Sequence, residues 1–269
     1  MVNILLSINP DLASSIAIRY AGQLGKLVKV GIQPIHVREP EQEGSIFCTG
    51  WVRRTWENAL LKKGEEDIRL LISAEKSSCP SLAPPRVIVG RRDNEILEEL
   101  RTGTYDLFME GVLASFDDRY FKRLFFSKLY LNIPCPILVV KNLAPLERIS
   151  LLITEEMEVH RLVQAFWKLF GKSTVPLDIF FYSGQGESGD IQITEVNKQE
   201  SGAIPINKLL HELEWSSDRE YIVTGHPKKV GEYLGKYGIV GSAIRDRGMS
   251  KKNPVVTVLA LTPAPILIC

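Results

Sequence analysis

At 269 residues the chain is long enough for two domains of ordinary size, each with its own core. Apolar residues make up 45% and charged residues 24%, the balance of a globular protein, and a net charge of +1 gives no electrostatic basis for nucleic acid or an anionic membrane as a partner. No run reaches the roughly 20 apolar residues that span a bilayer. The cysteines Cys48, Cys79, Cys135 and Cys269 contain no C-x-x-C pair, which excludes zinc or redox motifs of that spacing.

In chain order, Asn3–Ile8 is an apolar run typical of a strand buried on both faces. The opening Met1–Leu6 runs directly into it, without the basic region and cleavage site of a signal peptide, so a cytoplasmic location is expected. Pro10 and Asp11 start a helix to about Leu24, with Gly25 as its stop. A strand over Val28–Val37 follows, then a loop around Glu39–Gly50 and a helix from about Trp51 to Lys76. Arg86–Gly90 reads as a strand, Asn94–Arg101 as a helix, Tyr105–Met109 as a strand, Arg119–Leu131 as a helix and Pro136–Val140 as a strand. Strands alternating with helices imply βαβ crossovers and a parallel sheet.

The pattern then begins again. Asn3-Ile-Leu-Leu-Ser-Ile8 is matched by Ile149-Ser-Leu-Leu-Ile-Thr154, and Ile16, Tyr20 and Leu24 by Leu162, Phe166 and Phe170, at a constant offset of 146 residues. Two copies of one domain are expected, 1–142 and 147–269, joined by a linker over Lys141–Glu147. In the second copy Ile149–Thr154, Val159–Phe170 and Leu177–Tyr182 repeat the first strand, helix and second strand. Ser183–Asp190 replaces the long helical excursion. Ile191–Val196 reads as the third strand, Ile206–Glu214 as its helix, Tyr221–Thr224 as the fourth strand and Lys228–Arg245 as mostly helical. Pro254–Leu259 is the best match to the fifth strand, and Pro265–Ile268 is the alternative.

His36-Val37 at a strand end, the Val-x-x-Gly ending of the third strand, Tyr105-Asp-Leu-Phe-Met-Glu-Gly111 and Pro134-Cys-Pro-Ile-Leu-Val-Val140, in this order and spacing, resemble the universal stress protein family. The resemblance covers nearly all of residues 2–141 and, more loosely, 148–259. It implies an α/β fold of two tandem Rossmann-like domains, related to adenine nucleotide alpha hydrolases, each an open five-stranded, mostly parallel sheet. It also implies that the copies pack as a pseudo-dimer, with a homodimer and further protein partners open.

Many members of that family bind ATP through an aspartate after the first strand and a loop of three spaced glycines after the fourth. Glycines admit phosphate to the backbone N–H groups, and the following helix N-terminus adds a favourable dipole. By the resemblance, the aspartate position of the first copy is Asn9, Gly111 is kept, the second glycine is Ala114 and the third falls on Leu124. Tyr120–Phe126 is bulky where the family's loop is open, so ATP binding here is expected to be weak or absent. In the second copy Glu155 takes the aspartate's place, Gly225 is kept, Lys228 replaces the second glycine and Gly241-Ser242 matches the final pair. An adenine nucleotide, if bound, is expected in this second copy.

Other motifs carry less. Gly184-Gln-Gly186-Glu-Ser-Gly189 spells a dinucleotide fingerprint, but a strand pattern follows it instead of a helix. Gly171-Lys172-Ser173 resembles the end of a P-loop but closes a helix, with Phe166 at the required first glycine. His36, His160, His211 and His226 have no metal spacing, and His36 reads as structural. Cys48 lies in a glycine-containing loop without a visible activating partner. Arg91-Arg92 follow the third strand, at the sheet end where parallel α/β proteins bind ligands. The reading is a non-enzymatic stress-response binding module with a degenerate adenine-nucleotide site and no metal or catalytic residues. The alternatives are a ligand-free scaffold working through its fifth strands and the tail Pro263–Cys269, and a nucleotide hydrolase.

Overall fold

The structure, a computed structural model, describes residues 1–40, 50–113, 118–155, 157–184, 190–196, 206–243 and 253–269. Its first half runs β1 (Val2–Ser7), α1 (Leu12–Leu27), β2 (Val30–Arg38), α2 (Gly50–Glu75), β3 (Arg86–Val89), α3 (Arg92–Thr102), β4 (Leu107–Gly111), α4 (Asp118–Phe125), α5 (Lys128–Asn132) and β5 (Ile137–Val140). The second half runs β6 (Ile149–Ile153), α6 (Val159–Phe170), β7 (Leu177–Tyr182), β8 (Gln192–Glu195), α7 (Ile206–Glu212), β9 (Arg219–Thr224), α8 (Pro227–Leu234), β10 (Ile239–Ser242), α9 (Pro254–Leu261) and β11 (Ile266–Ile268).

The strands form one eleven-stranded sheet in the order β3-β2-β1-β4-β5-β11-β10-β6-β7-β9-β8. Pairing within each half is parallel, apart from the outer hairpin-like pair β8–β9. The halves join where β5 and β11 pair antiparallel, with Leu138 opposite Leu267. Both strands are buried, so the apolar fifth strands expected to serve as a contact surface are instead used up inside the sheet.

Local chemistry sets the element ends. Asp11 caps α1, its carboxylate accepting from the Ser14 N–H at 2.8 Å. The helix passes through the expected stop at Gly25 and ends at Leu27, where Val28 turns to extended backbone. The single helix expected over Arg119–Leu131 is two, because the Ser127 side chain caps a new helix, α5.

The second half departs further from its sequence reading. Ile191–Val196 is not the third strand: β8 within it lies antiparallel at the sheet's outer edge. The third position belongs to β9, which includes the Tyr221–Thr224 expected in fourth place. The fourth strand is β10, drawn from the segment expected to be helical. The excursion after β7 keeps a helix, α7, instead of losing it.

Pro254–Leu259 is helical, and the fifth strand is the alternative, β11. An unbroken apolar run cannot be told from a buried helix by periodicity. The deciding signals are local: Pro254 at the first helical position, and the Asn253 side chain accepting from the Val255 N–H at 2.9 Å.

Side-chain contacts among the described residues also cross between the halves, and Lys168 pairs with Asp106 at 2.6 Å. The buried Tyr20 hydroxyl donates to the Gly238 carbonyl at 2.6 Å. Lys141, just after β5, donates from Nζ to the carbonyls of Leu259, Ala260 and Thr262 at 2.7, 3.0 and 2.9 Å. In its charged form the amine is favourably placed against the dipole at the carboxyl end of α9. Lys141 also lies 4.4 Å above the Phe121 ring.

Candidate functional site

In a parallel sheet with crossover helices, the loops at the carboxyl ends of the strands are free to build a site. In the first half these ends open onto a cavity of about 630 Å³ between β1, β4 and α4. Asn9 and Asp11 line it from the β1–α1 turn, Arg92 from the start of α3, Glu110 and Gly111 from the end of β4, and Tyr120 and Leu124 from α4.

The turn is rigid. The Asn9 N–H donates to the Ser14 hydroxyl at 2.7 Å, while Ser14 is itself held by Asp11. Gly111 sits where a Cβ would lie 2.0 Å from the Ala13 carbonyl oxygen, so only glycine lets β4 approach the first turn of α1 this closely.

The polar centre is an internal network. The Arg92 guanidinium donates to one Glu110 carboxylate oxygen and, at 3.2 Å, to the Ser7 hydroxyl. The Tyr130 hydroxyl donates to the other Glu110 oxygen. Register sets this meeting, since Ser7 pairs with Glu110 across β1 and β4. Burial lifts the Tyr130 hydroxyl well above its ordinary range, and the Glu110 carboxylate adds to the rise. Burial opposes the charge on Arg92, but Glu110, Tyr130 and Asp93 together outweigh it and the net shift is upward.

Chemically, the cavity's cation is already neutralised, and its other charged groups, Asp11 and Glu110, are acidic. The bulk expected of Tyr120 and Leu124 does form one wall.

Of the first-half candidates, Asn9 and Gly111 come together at this cavity, and Ala114 lies outside the described residues, as does Cys48. Arg92 of the Arg91-Arg92 pair reaches the cavity, while Arg91 is the residue before α3. Glu110, Tyr130 and Ser7 are the residues sequence reasoning missed. The available signal was a single carboxylate inside the apolar strand Leu107-Phe-Met-Glu-Gly111, since a buried charge requires a partner.

The second-half candidates are placed differently. Gly241 and Ser242 lie within β10, not in a loop after the fourth strand. A Cβ on Gly241 would fall 1.9 Å from the Phe166 ring, and the buried Ser242 hydroxyl donates to the Leu152 carbonyl at 2.8 Å. Gly225 follows the third-position strand, at φ +141°, where a Cβ would meet the Ile191 backbone at 2.8 Å. It lies in the turn from β9 into α8, and its carbonyl accepts from the Tyr182 hydroxyl at 3.0 Å. Lys228 lies in the first turn of α8, which His226 caps by accepting from the Lys228 N–H at 3.3 Å. Glu155 is exposed in the turn after β6. The segment that follows the fourth strand in this half, 244–252, lies outside the described residues.

The remaining motifs resolve simply. Gly184 has φ +109°, the other two glycines of the fingerprint lie outside the described residues, and strand β8 follows. Gly171 is the stop of α6. His36 is buried, with Nδ1 3.0 Å from the Ile8 carbonyl. Among the described residues no group of three or more His, Cys, Asp or Glu is placed to hold a metal, and no helix is long and apolar enough to cross a membrane.

No family model and no curated protein matches the sequence. The fold does match solved structures. A universal stress protein from Archaeoglobus fulgidus DSM 4304 aligns over 99% of this chain and 97% of its own, with a TM-score of 0.66 at 15% identity. A Pseudomonas aeruginosa UCBPP-PA14 protein named for the same family aligns over 99% of this chain and 92% of its own, with a TM-score of 0.56 at 16% identity. A protein of unknown function from Pseudomonas aeruginosa PAO1 gives 99%, 91%, 0.56 and 16%. The chain therefore has the universal stress protein fold, and has it over its full length.

Proposed function

We propose that the protein is a non-enzymatic, stress-response binding and regulatory module whose adenine-nucleotide site is degenerate. The observation that supports this reading most is the Arg92–Glu110–Tyr130 network at the carboxyl ends of β1 and β4. It leaves a cavity where the fold would place a nucleotide, but spends Arg92, the one cation lining it among the described residues, on an internal carboxylate. A triphosphate entering here would set its charge beside Glu110 and Asp11 without a counter-ion, an unfavourable exchange. In this reading the first half binds ATP weakly or not at all. The second-half candidates for an adenine nucleotide are Glu155, Gly225, Lys228, Gly241 and Ser242, of which Gly225 and Gly241 also make close backbone or ring approaches.

The test is thermal unfolding of the purified protein with and without millimolar Mg-ATP, ADP and AMP. A ligand present at 100 times its dissociation constant adds about 2.7 kcal/mol of stability. Weak or absent shifts with Mg-ATP are expected. A large Mg-ATP shift abolished by Leu124→Trp would overturn the reading by placing a working site in the first half.

One observation favours a ligand-free scaffold as the second reading. With β5 and β11 paired to each other, β3 and β8 are the two outer strands of the sheet, and outer strands offer backbone groups to a partner chain. Full-length protein that stays unresponsive to every nucleotide yet self-associates, with loss of association on Thr194→Pro in β8, would favour it.

A further inference from the structure

A second cavity, also about 630 Å³, lies at the junction of the halves, away from the nucleotide position. Its walls come from the starts of β4 and β5, the end of β11 and one face of α6. Both Cys135 and Cys269 line it, and so do the basic side chains Arg161 and Lys168. Both cysteines are thiols, Cys135 buried and Cys269 partly exposed.

The strand register brings these two residues together. Ile268 opposes Ile137 across the antiparallel pair, so Cys269 falls opposite Pro136, one residue from Cys135. Strands about 5 Å apart, displaced by one residue of about 3.3 Å, give a Cα separation of about 6 Å. That lies within the Cα range of disulfides. The flanking backbone is held on both sides. The Cys269 N–H donates to the Ser242 carbonyl at 3.1 Å, and the Pro136 carbonyl accepts from the Phe108 N–H at 3.0 Å. Cys135 sits between Pro134 and Pro136, directly ahead of β5. Asp106 also lines the cavity and pairs with Lys168 at 2.6 Å, and the thiolate is the reactive form of a cysteine.

We propose that Cys135 and Cys269 are a redox pair whose disulfide staples the first half to the second across the β5–β11 seam. A peroxide is the oxidant. The Cys269 thiolate, the more accessible, attacks one peroxide oxygen; the O–O bond breaks, the other oxygen leaves as hydroxide, and Cys269 becomes a sulfenic acid. The Cys135 thiolate then attacks that sulfur; the S–S bond forms, the S–O bond breaks, and the oxygen leaves as hydroxide, which takes up the proton that Cys135 released to solvent on ionising and becomes water. Two thiols are oxidised by two electrons and one peroxide is reduced.

The experiment uses the full chain carrying Cys48→Ser, so that the remaining thiol outside the pair is the buried Cys79. Protein is treated with stoichiometric hydrogen peroxide, unfolded, alkylated with N-ethylmaleimide and weighed intact. Oxidised monomer should lose two alkylatable thiols and two hydrogens, and a protease map should show the Cys135 and Cys269 peptides linked. Its melting temperature should rise, and dithiothreitol should reverse the change. Cys269→Ser, at a partly exposed position, should keep the fold and abolish the cross-link. The proposal is overturned if both thiols remain alkylatable, if the cysteines stop at separate sulfenic or sulfinic acids, or if the disulfide joins two chains.

Discussion

Tyr20 in α1 and Gly238 ahead of β10 are 218 positions apart, yet the Tyr20 hydroxyl meets the Gly238 carbonyl at 2.6 Å inside the core. Burial lifts that hydroxyl well above its ordinary range, so it stays a donor. The bond joins the first half's principal helix to the strand system of the second.

Tyr20→Phe should keep the ring's packing and strand a buried acceptor. The expected loss is about 1–3 kcal/mol, read as a lower midpoint in urea unfolding. An unchanged midpoint would mean that this bond does not form.

Lys141 should make stability depend on pH in an unusual direction. Burial pushes its amine down from the ordinary 10.5 to about 7. Between those values the unfolded chain holds a proton that the folded chain lacks, so stability rises with pH across that window and falls as pH drops toward 7. Below about 7 the folded amine is charged too, with three protons for its three carbonyl acceptors. In Lys141→Met this component of the slope should vanish. Melting temperatures of both proteins between about pH 7 and about pH 10 check it.

Gly241→Ala should be destabilising for a packing reason, because the new methyl falls on the Phe166 ring. Overpacking of this kind costs about 1–3 kcal/mol. Phe166→Leu in the same chain should recover part of the loss, and a double-mutant cycle measures the coupling. Independent, additive effects would contradict the contact.

Arg92→Met alone should cost about 3–5 kcal/mol, since it leaves the Glu110 carboxylate buried without its cation. Arg92→Met with Glu110→Met should be far milder. Denaturant unfolding of the single and double variants decides this, and equal losses in both would show that the pair is not coupled.

Much of this fold was legible because β1–α1–β2 and β6–α6–β7 repeat the same buried positions at one offset. The second half became harder to read after β7. There the core is held by short strands such as Ile239–Ser242, whose glycine weakens any strand pattern, and by a helix, Pro254–Leu261, that is apolar on nearly every side. Such a run lacks a polar face, and only its Asn253-Pro254 start marks it as helical. Within the site, Asn9, Gly111, Tyr120 and Leu124 could be placed because they are local to strand ends. The network of Ser7, Arg92, Glu110 and Tyr130 could not, since it draws on β1, α3, β4 and α5, whose neighbourhood exists only in the folded chain.

The antiparallel meeting of β5 and β11 also fixes how this protein responds to dilution. In an assembly of separate chains, strands paired this way would come apart as concentration falls. Here both strands belong to one molecule, and residues 141–148, which join β5 to β6, tether the halves. The pairing thus operates at an effective concentration set by that tether, in the millimolar range for short flexible links. Cleaving the backbone within 141–148 would convert an intramolecular contact into a bimolecular one, and cohesion of the halves would then depend on how much protein is present.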